Sequence, residues 1–311
     1  MSAMRRIVVH LLVFSVASQA AEETPWLPRP GRTSLERKDI LPREESSPQD
    51  LWGPVKDSAD KSLAAGRTSW DLQGAIINGE TAARGQFPWQ AYIVPGSSSF
   101  CGGSLVSGSW VLTAANCVAR SASYTVTLGS TSLLETQEGS VSLLSRYWIM
   151  HSGYSGVFIQ NDVGLIRLPS PVVFSEYISP VRLPKHSQAS ETFAGRDAVV
   201  TGFGRLSSYN YTYSSTLQFA RATILANDEC SRYFPLDLLD SNICSVGEDS
   251  GPCDGDFGGP LVVSEDDGLF TLVGLMSFNW INCPVGAPTA YARTTSYLRW
   301  IETYSDVVVR E

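Results

Sequence analysis

Histidine is scarce in this chain of 311 residues: His10, His151 and His186 are the only three. Imidazole is the side chain that most readily takes and returns a proton near neutral pH, so acid–base chemistry has few places to reside. Cysteine is sparse too, with six residues, and neither a CxxC pair nor a His–Cys spacing occurs. That pattern argues against zinc, and the expected set of metals and cofactors is none. Positive charge is in deficit, with 23 Lys and Arg against 31 Asp and Glu, a net charge of −8. Such a balance suits neither nucleic acid nor an anionic membrane surface. No apolar run reaches the ~18 residues that a bilayer crossing needs, so no membrane anchor is expected. Internal repeats, the mark of a repetitive structural protein, are also missing.

What is present begins with a leader. Arg5 and Arg6 precede an apolar stretch from Ile7 to Val16, and Ser18-Gln19-Ala20 offers small residues for cleavage. Residues 1–20 therefore read as a secretory signal peptide, which implies an extracellular protein in a compartment where disulfides persist. Loss of the leader removes two arginines and leaves 21 basic against 31 acidic residues, a net −10. From 21 to 75 the chain is rich in proline (Pro25, Pro28, Pro30, Pro42, Pro48) and charge (Glu44, Glu45), and holds no cysteine. It reads as a flexible pro-segment, in which Trp26, Trp52 and Trp70 are docking anchors or incidental aromatics.

Residues 76–311 hold all six cysteines, for which sequence alone permits fifteen pairings. Short β-rich runs recur between turn signals: Ser109 to Thr113, Ala198 to Gly202, Leu261 to Val263 and Leu269 to Val273. Asp267-Gly268 supplies a positive-φ turn between the last two. Tyr297, Leu298, Trp300, Ile301 and Tyr304 follow helical spacing, with Thr294, Thr295 and Ser296 as candidate N-caps. Asn210-Tyr211-Thr212 is a glycosylation sequon in a polar stretch, and marks Asn210 as a candidate acceptor.

Three motifs carry the functional argument: Leu112-Thr113-Ala114-Ala115-Asn116-Cys117, Asn161-Asp162-Val163-Gly164-Leu165-Ile166-Arg167-Leu168 and Cys253-Asp254-Gly255-Asp256-Phe257-Gly258-Gly259-Pro260. They resemble the strand end bearing the general base, the aspartate segment and the glycine-framed nucleophile turn of chymotrypsin/trypsin-family serine proteases. The resemblance covers essentially all of 76–311. It implies an all-β fold of two Greek-key six-stranded barrels with a C-terminal helix, without the cysteine-knotted clip domain found in many homologues. It also implies the pairings Cys101 with Cys117, Cys230 with Cys244 and Cys253 with Cys283.

The departures matter as much as the likeness. Asn116 stands where the family has histidine and Phe257 where it has serine, so of the three triad positions only Asp162 is unchanged. A phenyl ring has no lone pair to attack with, and an amide does not titrate near neutral pH. His151 and His186 fall in segments that resemble surface loops away from the cleft. The resemblance further implies oxyanion-hole amides at Gly255 and Phe257, and a specificity pocket bounded by Gly251, Ser277, Asn279 and Thr289. Asn279 and Thr289 occupy places where glycine is usual, and narrow the pocket. It implies an activation pair of Ile76 and Asp256, although Ala75 replaces the usual basic residue before the cut, and Arg67 is the nearest upstream site for a trypsin-like activator. Glu135 and Glu138 lie in a loop that binds calcium in some members, but bring no visible ligand framework.

The expected function is that of a secreted, catalytically inactive protease homologue acting as a binding or regulatory protein. Its expected partners are secreted proteins: proteases, their substrates or their inhibitors. The alternatives are an atypical endopeptidase of the same family and a structural or storage protein of a secreted fluid.

Overall fold

Strands dominate the computed structural model, which describes residues 76–96, 99–119, 121–209, 211–234 and 238–311; some are buried on both faces and others alternate inward with outward residues. The leader, the pro-segment and Asn210 lie outside these residues. In β5 (Tyr124–Leu128), Tyr124, Val126 and Leu128 point inward. In β10 (Gln218–Leu225), Gln218, Ala220, Ala222 and Ile224 do so, the period of two that a half-covered strand requires.

The first barrel comprises β2 (Gln90–Pro95), β3 (Cys101–Leu105), β4 (Trp110–Thr113), β5, β6 (Val141–Ser145), β7 (Tyr147–Met150) and β8 (Gly164–Arg167). Only Arg146 separates β6 from β7. They act as one bent strand, whose first half pairs with β5 and second half with β8, closing a six-stranded barrel. β5 returns to lie beside β2 after β2, β3 and β4 have paired in succession, which is the Greek-key arrangement.

The second barrel repeats that plan with β9 (Asp197–Gly202), β10, β11 (Asn242–Val246), β12 (Pro260–Ser264), β13 (Phe270–Phe278) and β14 (Thr289–Arg293). β9 pairs with both β10 and β12, which closes it. A two-residue strand, β1 (Glu80–Thr81), adds to the outside of β10. The β12–β13 hairpin turns at Gly268, with φ of 76°, as the Asp-Gly pair requires.

At the C-terminus, α2 (Leu298–Tyr304) buries Leu298 and Ile301 in the core cluster of the first barrel. The expected capping differs. Thr294 to Tyr297 form a 3-10 turn, Tyr297 takes the N-cap position, and no side chain caps the helix. Thr294 and Thr295 are instead buried, with Oγ1 atoms that find no partner among the described residues, because docking of the turn against the barrel outweighs one cap bond.

Close backbone approach holds the two barrels together where the three motifs meet. A Cβ on Gly102 of β3 would stand 2.8 Å from Gly259 Cα, and one on Gly258 (φ 76°) would overlap Thr113 Oγ1. The Gly102 amide donates to the Phe257 carbonyl at 2.8 Å. These glycines therefore place the Phe257 turn of one barrel on the β3 and β4 strand ends of the other.

Candidate functional site

Asn116 lies in a short helix, α1 (Ala115–Val118), directly after β4. Its backbone amide donates to Asp162 Oδ1 at 2.8 Å and its side-chain Nδ2 to Asp162 Oδ2 at 2.8 Å. Ser277 Oγ donates to the same Oδ2 at 2.6 Å. Asp162 is buried, and burial pushes its carboxyl up to about 6 while these hydrogen bonds pull it down. The Asn116 Oδ1 is turned to the Cys117 sulfur, 3.2 Å away, which is bridged to Cys101 and has no proton to give. Asn116 thus does the donating half of an imidazole's work toward Asp162. It offers no basic nitrogen on its other side.

Phe257 is half-buried and packs against the core clusters of both barrels. Its turn is framed by Gly255 (φ 95°) and Gly258 (φ 76°). Among the described residues, neither the Gly255 nor the Phe257 amide is taken by a backbone carbonyl. Both remain available to an oxygen ligand. Asp256 is buried and accepts from the Gly204 amide at 2.7 Å and the Cys253 amide at 3.0 Å. Burial pushes its carboxyl up to about 7, opposed by these two amides. Ile76 is buried in the second-barrel core with φ of 107°, and Ile77 exchanges two backbone hydrogen bonds with Gly251. No cation bonds Asp256 among the described residues.

The pocket residues separate into two groups. Gly251, Asn279 and Thr289 line a cavity with Ile77, Pro252 and Trp280, whereas the Ser277 hydroxyl is committed to Asp162. The cavity measures ≈ 10 Å³, room for about one water. Asn279 Nδ2 reaches across to the Pro252 carbonyl at 3.4 Å and the Cys283 sulfur at 3.0 Å.

Two features escaped sequence reading. Ile159, with φ of 49°, is buried against Phe234 and Phe278, with half-buried Trp280 packed on the same cluster. Near Gly255 of the Phe257 turn, Tyr92, Phe100 and Tyr213 form a row of rings with centroids 5.1 and 5.0 Å apart. Tyr211 continues it over the Arg205 guanidinium, which is paired with Asp254 at 2.9 Å. A Cβ on Gly255 would stand 2.7 Å from the Phe100 ring. The Tyr-x-Tyr-x-Tyr spacing at 209–213 was the one available signal.

His186 pairs with Glu302, away from the motifs. His151 is closer to them than its segment suggested. Its ring lies 5.7 Å from that of Tyr297, whose hydroxyl donates to Asn161, the neighbour of Asp162. Its contacts run to Tyr297, Trp300 and Gly153 rather than to Asn116 or Phe257. Glu135 and Glu138 are exposed, and the Glu138 carbonyl accepts from Arg84. The three disulfides are Cys101–Cys117, Cys230–Cys244 and Cys253–Cys283. No helix among the described residues is long and apolar enough to cross a membrane.

Comparison with known proteins places this geometry. The family model described as trypsin matches residues 76–301. A collagenase of Hypoderma lineatum is 34% identical over 243 residues, 76% of this chain and 89% of that protein. Brachyurin of Leptuca pugilator is also 34% identical, over 75% of this chain and 99% of its own length. The solved structure of HL collagenase superposes with a TM-score of 0.68 at 34% identity, covering 75% of this chain and all of that one.

Proposed function

This chain belongs to the trypsin family of serine proteases, and we propose that it is a non-catalytic member: a secreted protein that binds other secreted proteins and regulates them. One observation carries the reading. The side chain facing Asp162 is the Asn116 amide, and the residue at the centre of the glycine-framed turn is Phe257. Acyl transfer needs a nucleophile and a base to take its proton, and neither residue type supplies either. The cavity, with room for about one water, also argues against a side-chain specificity pocket. Retention of three disulfides and of the Phe257 turn against β3 supports a protein kept folded for recognition. On this reading residues 1–20 are removed on secretion, 21–75 form the pro-segment, and Asn210 carries a glycan.

The recognition half is tested by affinity capture from the native secretion with the full chain. Saturable binding of a defined secreted protein, lost on Phe257→Asp and kept on Arg221→Ala in β10, is the expected result. Equal capture by both variants would place recognition elsewhere than the cleft.

A further inference from the structure

We propose that the Phe257 turn is an acid-tightened switch, ordered by proton uptake at two buried carboxylates: Asp256, which precedes Phe257 in the turn, and Asp162, which faces Asn116. The observation beneath this is a charge imbalance. Both carboxylates are sealed from solvent. Asp162 accepts from the Asn116 backbone amide, the Asn116 side chain and the Ser277 hydroxyl. Asp256 accepts from the amides of Gly204 and Cys253. All of these donors are neutral, as is the Ala115 amide that also bonds Asp162. Asn116 cannot become a cation, and in the uncut chain the Ile76 nitrogen is an amide joined to Ala75 rather than an ammonium.

Among the described residues, the groups facing each carboxylate do not repair the deficit. Around Asp256 they are the Tyr291 hydroxyl and Asp254, whose negative charge is an additional burden; Arg205 is spent on Asp254. Around Asp162 they are Ser277, Asn116 and the Tyr297 hydroxyl. A buried carboxylate without a cation favours its protonated form, in keeping with titration at about 6 for Asp162 and about 7 for Asp256. Because both folded values lie above the unfolded one, the folded state binds the extra protons. Stability is therefore greatest on the acid side and is lost as pH rises through about 6 and then about 7. The carboxylates at the ion pairs of Arg182 and Arg310, Glu265 and Asp267, are shifted down and stay charged in this window. His151, lowered by partial burial, works in the opposite sense.

The turn couples to this because Asp256 precedes Phe257 directly, and its backbone holds Gly259 through a 2.8 Å hydrogen bond. At alkaline pH one charge sits in the turn at Asp256 and another at Asp162, whose partner Ser277 adjoins Met276, the acceptor of the Gly258 amide; opening to water relieves both. At acid pH that incentive disappears.

Thermal unfolding and hydrogen exchange of the full, uncut chain between pH 8 and 5.5 test the proposal. The expected result is a Tm higher by roughly 5–10 °C at pH 5.5. Exchange over residues 251–259, corrected for its intrinsic pH dependence, should be slower there. Asp256→Asn and Asp162→Asn should each flatten part of the Tm profile. Asn116→His, which gives Asp162 a cation, should remove its share; His151 is common to all four proteins and cancels. If the aspartate variants do not fold, carbon NMR of aspartate-labelled wild-type protein reads the carboxyl titrations directly. A Tm that is flat or falls on acidification overturns the proposal, as does the absence of any carboxyl resonance titrating above pH 5.5.

Discussion

Restoring both altered triad positions should create an activity that neither restoration creates alone. In Asn116→His, the ring Nδ1 falls close to the place of the Asn116 Nδ2, which already lies 2.8 Å from Asp162 Oδ2. The aspartate is thus in position to hold the imidazole by its N–H, leaving Nε2 free toward residue 257. In Phe257→Ser the hydroxyl enters a turn whose Gly255 amide is not engaged by a backbone carbonyl. Loss of nucleophile or base costs about 10⁶ in kcat, and the two losses are far from additive. Each single restoration should therefore stay at background. The double variant should exceed either by at least ~10³, about 4 kcal/mol of transition-state stabilisation. The remaining shortfall reflects the narrow cavity, so an alanyl ester is the substrate to use. The assay compares the three variants after cleavage at Ala75–Ile76 and removal of the cleaving enzyme. Loss of the half-buried Phe257 ring costs about 1–3 kcal/mol of stability, so a melting curve for each protein accompanies it. A single variant as fast as the double one would refute the reasoning. So would a folded, cut double variant with no gain.

Three further outcomes are expected. Mass spectrometry of unreduced peptides should find all six cysteines oxidised in the pairs present here, and removing one bridge, which closes 14 to 30 residues, should cost about 2–4 kcal/mol; a free thiol at Cys253 or Cys283 would contradict this. Gly202→Ala places a Cβ on the Asp256 carboxylate and should lower stability by more than about 2 kcal/mol, read from denaturant unfolding; a neutral effect would mean that Asp256 is not fixed where it lies. Limited trypsin digestion should cut at sites such as Arg67 and leave Ala75–Ile76 intact, as read by N-terminal sequencing, because alanine does not fit a pocket built for a basic side chain. Recovery of Ile76 as the first residue of the native secreted protein would instead imply a convertase that accepts alanine.

The parts legible in the sequence were those set by local rules or by motif. Asp267-Gly268 announced a hairpin because few other pairs supply its turn, and short β-rich runs between turn signals announced β4 and β9. The glycine-framed segment around Phe257 and the segments around Asn116 and Asp162 marked the site, since each is short and contiguous. What stayed hidden depends on contacts distant in the chain. Nothing near Ile159 says that Phe234 and Phe278, more than seventy residues away, will bury it. The row from Tyr92 through Phe100 to Tyr213 assembles three separate segments. Thr294 and Thr295 satisfied the composition rule for a cap, yet docking of their turn decided otherwise.

The central claim is that this site holds neither nucleophile nor base, and chemical labelling reads it most directly. The full chain and the chain cut at Ala75–Ile76 are each incubated with an excess of a fluorophosphonate and weighed intact by mass spectrometry, while an alanyl ester reports turnover in parallel. Unshifted masses and no turnover above buffer are the results the account predicts. A stoichiometric phosphonyl adduct on any residue, with ester hydrolysis that the adduct abolishes, would contradict it.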